Sequence, residues 1–227
     1  MTSRVVGRSE SQVCAIVTNE VPQQPAARMK IAIIGGGPAG LCTYLNLKKT
    51  LASKHIENAF DIVIYETHDP GLASHSESPN APISGGGYGL APTGMKSLRR
   101  LDPHLHEQIF KHGFPTPKTL MKSATGWTLG SIPFNDLSGE EPECCVMVLR
   151  ETVLDVLSGS IPAHVLVKHK VVDVKDGEAG AIVTLDSGEK LEYELVIGAD
   201  GIWSKARRAI SGEKYGPEYK SVQIGGL

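Results

Sequence analysis

The chain lacks the usual marks of a membrane, metal or nucleic-acid protein. No apolar run among its 227 residues approaches the roughly 20 that cross a bilayer as a helix. Residues 1–28 have no apolar core of the kind a secretory signal carries. They mix Arg4, Arg8 and Arg28 with Glu10 and Glu20, which weakens a mitochondrial reading. The four cysteines, Cys14, Cys42, Cys144 and Cys145, form no C-x-x-C pair and show no metal-ligand spacing. Adjacent Cys144 and Cys145 are read as two strand thiols, and free thiols suit a reducing compartment, so the expected location is cytoplasmic. A net charge of -2 gives no electrostatic case for nucleic acid or an anionic membrane. There is no nucleophile elbow or catalytic-triad pattern, and no internal repeat. His104, His106 and His112 have no cysteine or carboxylate at ligand spacing and are read as solvated helix histidines. Trp127 and Trp203 are read as core or loop packing residues.

What is present suits one large globular unit. The hydrophobic content of 41% is enough for a sizeable core. Residues 1–28 are read as a disordered extension and 29–227 as the folded domain, with Met29 as an alternative or true start. Lys30–Ile34 is a short β-branched run, expected as a buried parallel strand. Pro38 to about Leu51 has helical spacing through Leu41, Tyr44, Leu45, Leu47 and Leu51. Phe60–Tyr65 reads as a second strand, completing one βαβ unit. Residues 67–94 read as a long loop, the kind that inside a compact domain is functional or disordered. A helix from Thr93 to about Phe110 should break or restart at Pro103. Thr119–Ala124 and Trp127–Phe134 look like an antiparallel pair, Val146–Leu149 like a strand, and Glu151–Leu157 like a helix. Three β-rich runs within 165–195, punctuated by Asp176-Gly177 and Asp186-Ser187-Gly188, read as a meander. It leads into a strand over Leu195–Ala199.

The chemistry-bearing pattern is Gly35-x-Gly37-x-x-Gly40, placed after a strand and opening a helix. The first glycine allows the tight turn, the second lets backbone approach a pyrophosphate, and the third lets helix and strand pack closely. Pro38 and Ala39 fill the first turn, where a missing proline N–H costs nothing. Phosphate oxygens would sit on free N–H groups at the positive end of the helix dipole. By itself this pattern admits NAD or FAD. Glu66 closes the second strand, 26 residues after Gly40, against about 20 for the usual ribose-binding acid. A carboxylate there accepts from both ribose hydroxyls and repels the 2′-phosphate of NADP.

Four segments together resemble the FAD-dependent monooxygenases of the aromatic-hydroxylase class, close to the salicylate-hydroxylase-like branch. They are Ile31–Leu41 with Glu66, Gly85-Gly86-Gly87-Tyr88-Gly89-Leu90-Ala91-Pro92, Leu149–Leu154 with Arg150, and Gly198-Ala199-Asp200-Gly201-Ile202-Trp203-Ser204-Lys205-Ala206-Arg207. The resemblance spans roughly 29–227. It implies an α/β, three-layer Rossmann-like FAD-binding domain of the glutathione-reductase type, with a partial antiparallel substrate-domain sheet. It assigns Gly35, Gly37 and Gly40 to the FAD pyrophosphate and Glu66 to the adenosine ribose. Gly85 and Gly86 would lie along the middle of the cofactor, Arg150 would donate to FAD oxygens, and Asp200 with Gly201 would shape the cleft. Arg207 would buttress its loop.

The implied reaction is hydroxylation of a small aromatic molecule with NAD(P)H as reductant and O₂; no catalytic side chain is named by it. Departures are Thr67, where the family usually has a basic residue, a long Pro/Ser/His-rich stretch over 67–84, and no later Gly-Asp motif for the ribityl end of FAD. Tyr219–Leu227 reads as the entry to a substrate sheet. Two further readings therefore stand beside the enzyme. One is an FAD-binding fragment without turnover, prone to associate through surface that missing segments would cover. The other is a plain NAD-dependent dehydrogenase, disfavoured by the Gly198–Arg207 segment.

Overall fold

A computed structural model describes residues 28–67, 86–136, 142–178 and 180–212. Residues 1–27 of the expected extension over 1–28, the loop residues 68–85 with Gly85, and the sheet entry at 219–227 lie outside the described residues.

Strand β1 (Met29–Ile34), helix α1 (Pro38–Ser53) and strand β2 (Phe60–Glu66) form the expected βαβ unit. Then come β3 (Gly87–Leu90), α2 (Pro92–Leu101), α3 (Pro103–His112), β4 (Phe114–Thr116), β5 (Lys118–Lys122), β6 (Thr128–Pro133) and β7 (Asn135–Asp136). The rest is β8 (Glu143–Leu149), α4 (Arg150–Ser158), β9 (Leu166–Lys168), β10 (Val171–Asp176), β11 (Ala181–Leu185), β12 (Lys190–Tyr193), β13 (Leu195–Gly198) and α5 (Lys205–Ser211).

The centre is a parallel sheet in the order β13-β1-β2-β9, with Ile33 beside both Ile197 and Ile64. Alternate residues of β1 serve two cores, as strand geometry requires. Ile33 packs with Leu41 of α1 and with residues of α2, α3, β8 and α4. Ala32 and Ile34 pack on the other side, against Val171, Val174, Val183 and Leu185 of the β10-β11-β12 meander and Ala206 of α5. Helices, parallel sheet and meander are the three layers expected. Ile33, Leu41 and Ile64 are wholly buried, each worth roughly 1.5–3 kcal/mol of transfer free energy.

Pro103 separates α2 from α3 as expected. Asp102 before it is extended (φ -156°, ψ 118°), as a residue preceding proline prefers. Its carboxylate then accepts the His104 N–H at 2.8 Å and caps α3.

The structure differs from the sequence reading in four places. The end of the expected loop forms β3, paired antiparallel with β8, because Tyr88 and Leu90 find apolar neighbours there. Four strands, not three, fill 165–195, since Leu166–Lys168 pairs with β2 and extends the parallel sheet. His106 is not solvated: its side chain is largely buried and its Nε2 lies 2.7 Å from Oε1 of buried Glu143, which also pairs with Arg99. Trp127 and Trp203 are exposed and lie in no core.

Candidate functional site

The C-terminal ends of β13, β1 and β2 lie side by side, and each is followed by one of the sequence-predicted segments. After β1 the chain turns sharply at Gly35, with φ at 105°, a conformation that favours glycine. Its N–H donates to the Tyr65 carbonyl at 2.8 Å. A Cβ here would lie 2.4 Å from the Ala199 carbonyl oxygen. Gly40 is equally constrained: a Cβ would lie 1.9 Å from the Gly35 carbonyl oxygen. These two glycines therefore serve the close approach of α1, β1 and the loop after β13.

Gly37 is different. It caps α1 with φ at -72° and ψ at 177°, which any residue adopts, and a Cβ on it would meet nothing within 4 Å. The fold does not need this glycine, and the space in front of it is open. Pro38 opens the helix and Ala39 is exposed beside it. Amides of a first helical turn have no intrahelical acceptor and carry the positive end of the dipole. The first turn of α1 contains no acidic side chain to occupy them.

Glu66 ends β2 beside this turn. One carboxylate oxygen accepts the Gly36 N–H at 2.6 Å and the other accepts the Thr67 N–H at 2.7 Å. Two backbone donors thus fix its orientation, and a carboxylate oxygen has capacity for a second donor. Gly36 is the residue the sequence reading passed over. A Cβ there would come within 2.9–3.1 Å of the Glu66 side chain. The run of three consecutive glycines is the signal that marks it.

The third segment follows β13. The Ala199 N–H donates to the Ile34 carbonyl at 2.8 Å, which ties the loop to β1. Asp200 accepts from the Ser204 hydroxyl and the Lys205 N–H, both at 2.5 Å. Ser204, itself buried, accepts the Arg207 N–H at 2.9 Å. Asp200 and Ser204 therefore cap α5 as a pair. Gly201 has φ at 71° and open space around it. Arg207 donates to the Ile202 carbonyl, the loop-bracing part expected of it.

Gly86 and Arg150 are brought together: the Arg150 N–H donates to the Gly86 carbonyl at 2.9 Å, where β3 and β8 pair. The Arg150 side chain is exposed at the start of α4 and has no hydrogen bond or ion pair with the described residues. Among the described residues no group of three or more His, Cys, Asp or Glu side chains is placed to hold a metal. No described helix is long and apolar enough to cross a membrane.

No protein-family model matches the chain. It is 29% identical over 208 residues to the FAD-dependent monooxygenase pigN of Monascus ruber, covering 87% of this chain and 42% of pigN. It is 26% identical over 201 residues to chloroplastic zeaxanthin epoxidase of Spinacia oleracea, covering 86% of this chain and 27% of that enzyme. Among solved structures, CtdE in complex with FAD superimposes with a TM-score of 0.61 at 18% identity, covering 85% of this chain and 43% of CtdE. The chain thus spans less than half the length of these relatives. Its fold is that of the FAD-binding part of such monooxygenases, and its homologues are FAD-dependent monooxygenases.

Proposed function

We propose that this homologue of the FAD-dependent monooxygenases binds FAD at the ends of β13, β1 and β2, with residues 29–227 forming the binding domain. The observation that carries the reading is the open approach at Gly37, set between two glycines the fold itself requires. A bound pyrophosphate explains a glycine that packing does not. β1 lies centrally, with β2 on one side and β13 on the other, and ligands of open α/β sheets sit at the carboxyl ends of strands at such a point.

In this reading the amides of the Gly37–Gly40 turn take the pyrophosphate and Glu66, held by Gly36 and Thr67, takes the adenosine ribose. Arg150 supplies a cation with no competing partner among the described residues. Asp200 acts through the α5 cap, holding Gly201 and the Ala199 carbonyl in place. Gly86 lies along the cofactor. FAD supplies the redox and oxygen chemistry when bound, while these residues bind and orient it. The complete reaction we propose is hydroxylation of a small aromatic molecule, with NAD(P)H as reductant.

A visible spectrum of the purified chain, followed by an NAD(P)H oxidation assay with candidate phenols, tests this. The same preparation distinguishes an FAD-binding chain without turnover. Yellow protein with stoichiometric flavin and substrate-stimulated oxidation supports the enzyme. Yellow protein without oxidation supports the binding chain. Colourless protein that takes up no added FAD contradicts both.

A further inference from the structure

Gly35, Gly36 and Gly37 are small for different reasons. Gly35 has a left-handed φ, and Gly37 faces open space. Gly36 has neither: its φ lies outside the left-handed region and it is buried. What denies it a side chain is Glu66. A Cβ on Gly36 would lie 2.9 Å from the Glu66 Cβ, 3.0 Å from its Cγ and 3.1 Å from Oε2. The crowding starts at the root of the acid, which no change of rotamer moves away.

The same residue supplies a donor. The Gly36 N–H donates to Oε2 of Glu66 at 2.6 Å, and the Thr67 N–H donates to Oε1 at 2.7 Å. A buried N–H needs an acceptor, and Glu66 is the one Gly36 has. The neighbouring Gly35 N–H donates to the Tyr65 carbonyl at 2.8 Å. Two successive amides of the turn therefore grip two successive residues at the end of β2, and the turn and the acid are built as one unit.

We propose that Gly36 is a positioning residue for ribose recognition. Its bare Cα and its N–H hold the Glu66 carboxylate in the orientation that accepts from the paired hydroxyls of an adenosine ribose. The proposal rests on the assignment of Glu66 to that ribose. A carboxylate has about four lone-pair sites, and the two amides take one on each oxygen, which fixes the carboxylate plane. Neighbouring hydroxyls read that plane, because a hydrogen bond weakens steeply as it bends. A side chain at position 36 turns the carboxylate and costs the hydroxyl bonds, while the amides of the Gly37–Gly40 turn keep their place. Gly36 thus sets how strongly the site tells ribose from a sugar without hydroxyls, and it does so through Glu66.

The test uses two probes, FAD and an FAD analogue whose adenosine lacks the 2′- and 3′-hydroxyls. Each is titrated into the full chain and into Gly36→Ala by quenching of flavin fluorescence. The parent should bind FAD about tenfold or more tightly than the analogue, the worth of a hydrogen bond to a charged group. In Gly36→Ala the ratio should fall to about twofold or less, with the affinity for the analogue unchanged. A methyl that merely distorts the turn would weaken both probes alike and keep the ratio, which would overturn the proposal. Equal binding of the two probes by the parent would overturn the ribose assignment and the proposal with it. Amide hydrogen exchange on Glu66→Ala keeps the test independent of the folding of Gly36→Ala. There the Gly36 amide should exchange about tenfold or more faster than in the parent, while the Gly35 amide keeps its rate. Unchanged exchange at Gly36 would overturn the proposal.

Discussion

Substituting Gly37 by Ala separates a glycine kept for a ligand from one kept for the fold. The backbone at Gly37 (φ -72°, ψ 177°) lies in the extended region open to every residue. The new methyl would meet no atom within 4 Å. Two small effects oppose each other. Alanine restricts the unfolded chain, which stabilises by about 0.4–1 kcal/mol. It is also a poorer helix cap than glycine, by a similar order. The unfolding midpoint in urea should therefore stay within about 0.5 kcal/mol of the parent. Binding should respond differently, because the methyl occupies the space assigned to the pyrophosphate. Displacing one charge-assisted hydrogen bond costs about 1.5–3 kcal/mol, which raises the FAD Kd by about tenfold or more. Quenching of flavin fluorescence measures the Kd, and far-UV circular dichroism in urea measures stability. An unchanged Kd, or a stability loss comparable to that of Gly35→Ala, would refute the assignment.

Gly35→Ala combines an unfavourable φ of 105° with a contact of 2.4 Å to the Ala199 carbonyl, so it should destabilise by about 3 kcal/mol in urea denaturation. An unshifted midpoint would contradict the tight turn. Arg150→Ala removes an exposed side chain without partners among the described residues and should leave stability within about 0.5 kcal/mol. It should still weaken FAD binding severalfold; equal affinity would remove Arg150 from the site. Glu143→Gln takes the negative charge from between Arg99 and His106, and should destabilise by about 3 kcal/mol, because the Arg99 guanidinium loses its buried counter-charge. A neutral result would show that cluster to be dispensable.

The central βαβ unit was legible because its signals are local. The Ile31–Ile34 run, the glycine turn and the spacing of Leu41 and Tyr44 each state their own conformation. The placement of Asp200 and Glu66 at the ends of the two strands that flank β1 was legible only through the resemblance, since pairing of β1 with β13 joins residues over 160 positions apart. Pairing of β9 with β2 had no local signal, because a three-residue strand is defined by its partner. The Glu143 cluster was hidden for the same reason: Arg99, His106 and Glu143 come from α2, α3 and β8, and none is unusual alone. The resemblance gave Asp200 a part in shaping the cofactor cleft, and its hydrogen bonds run to the start of α5. Both roles place the same residue beside the site.

The account rests on a nucleotide site that accepts FAD at the Gly35–Gly40 turn and Glu66. Calorimetric titration of the purified 227-residue chain with FAD, repeated with excess NADP⁺, tests that directly. The expected result is saturable binding of one FAD per chain that NADP⁺ does not displace, because the Glu66 carboxylate repels a 2′-phosphate. Absence of saturable FAD binding, or displacement by NADP⁺ at matching concentrations, would contradict it.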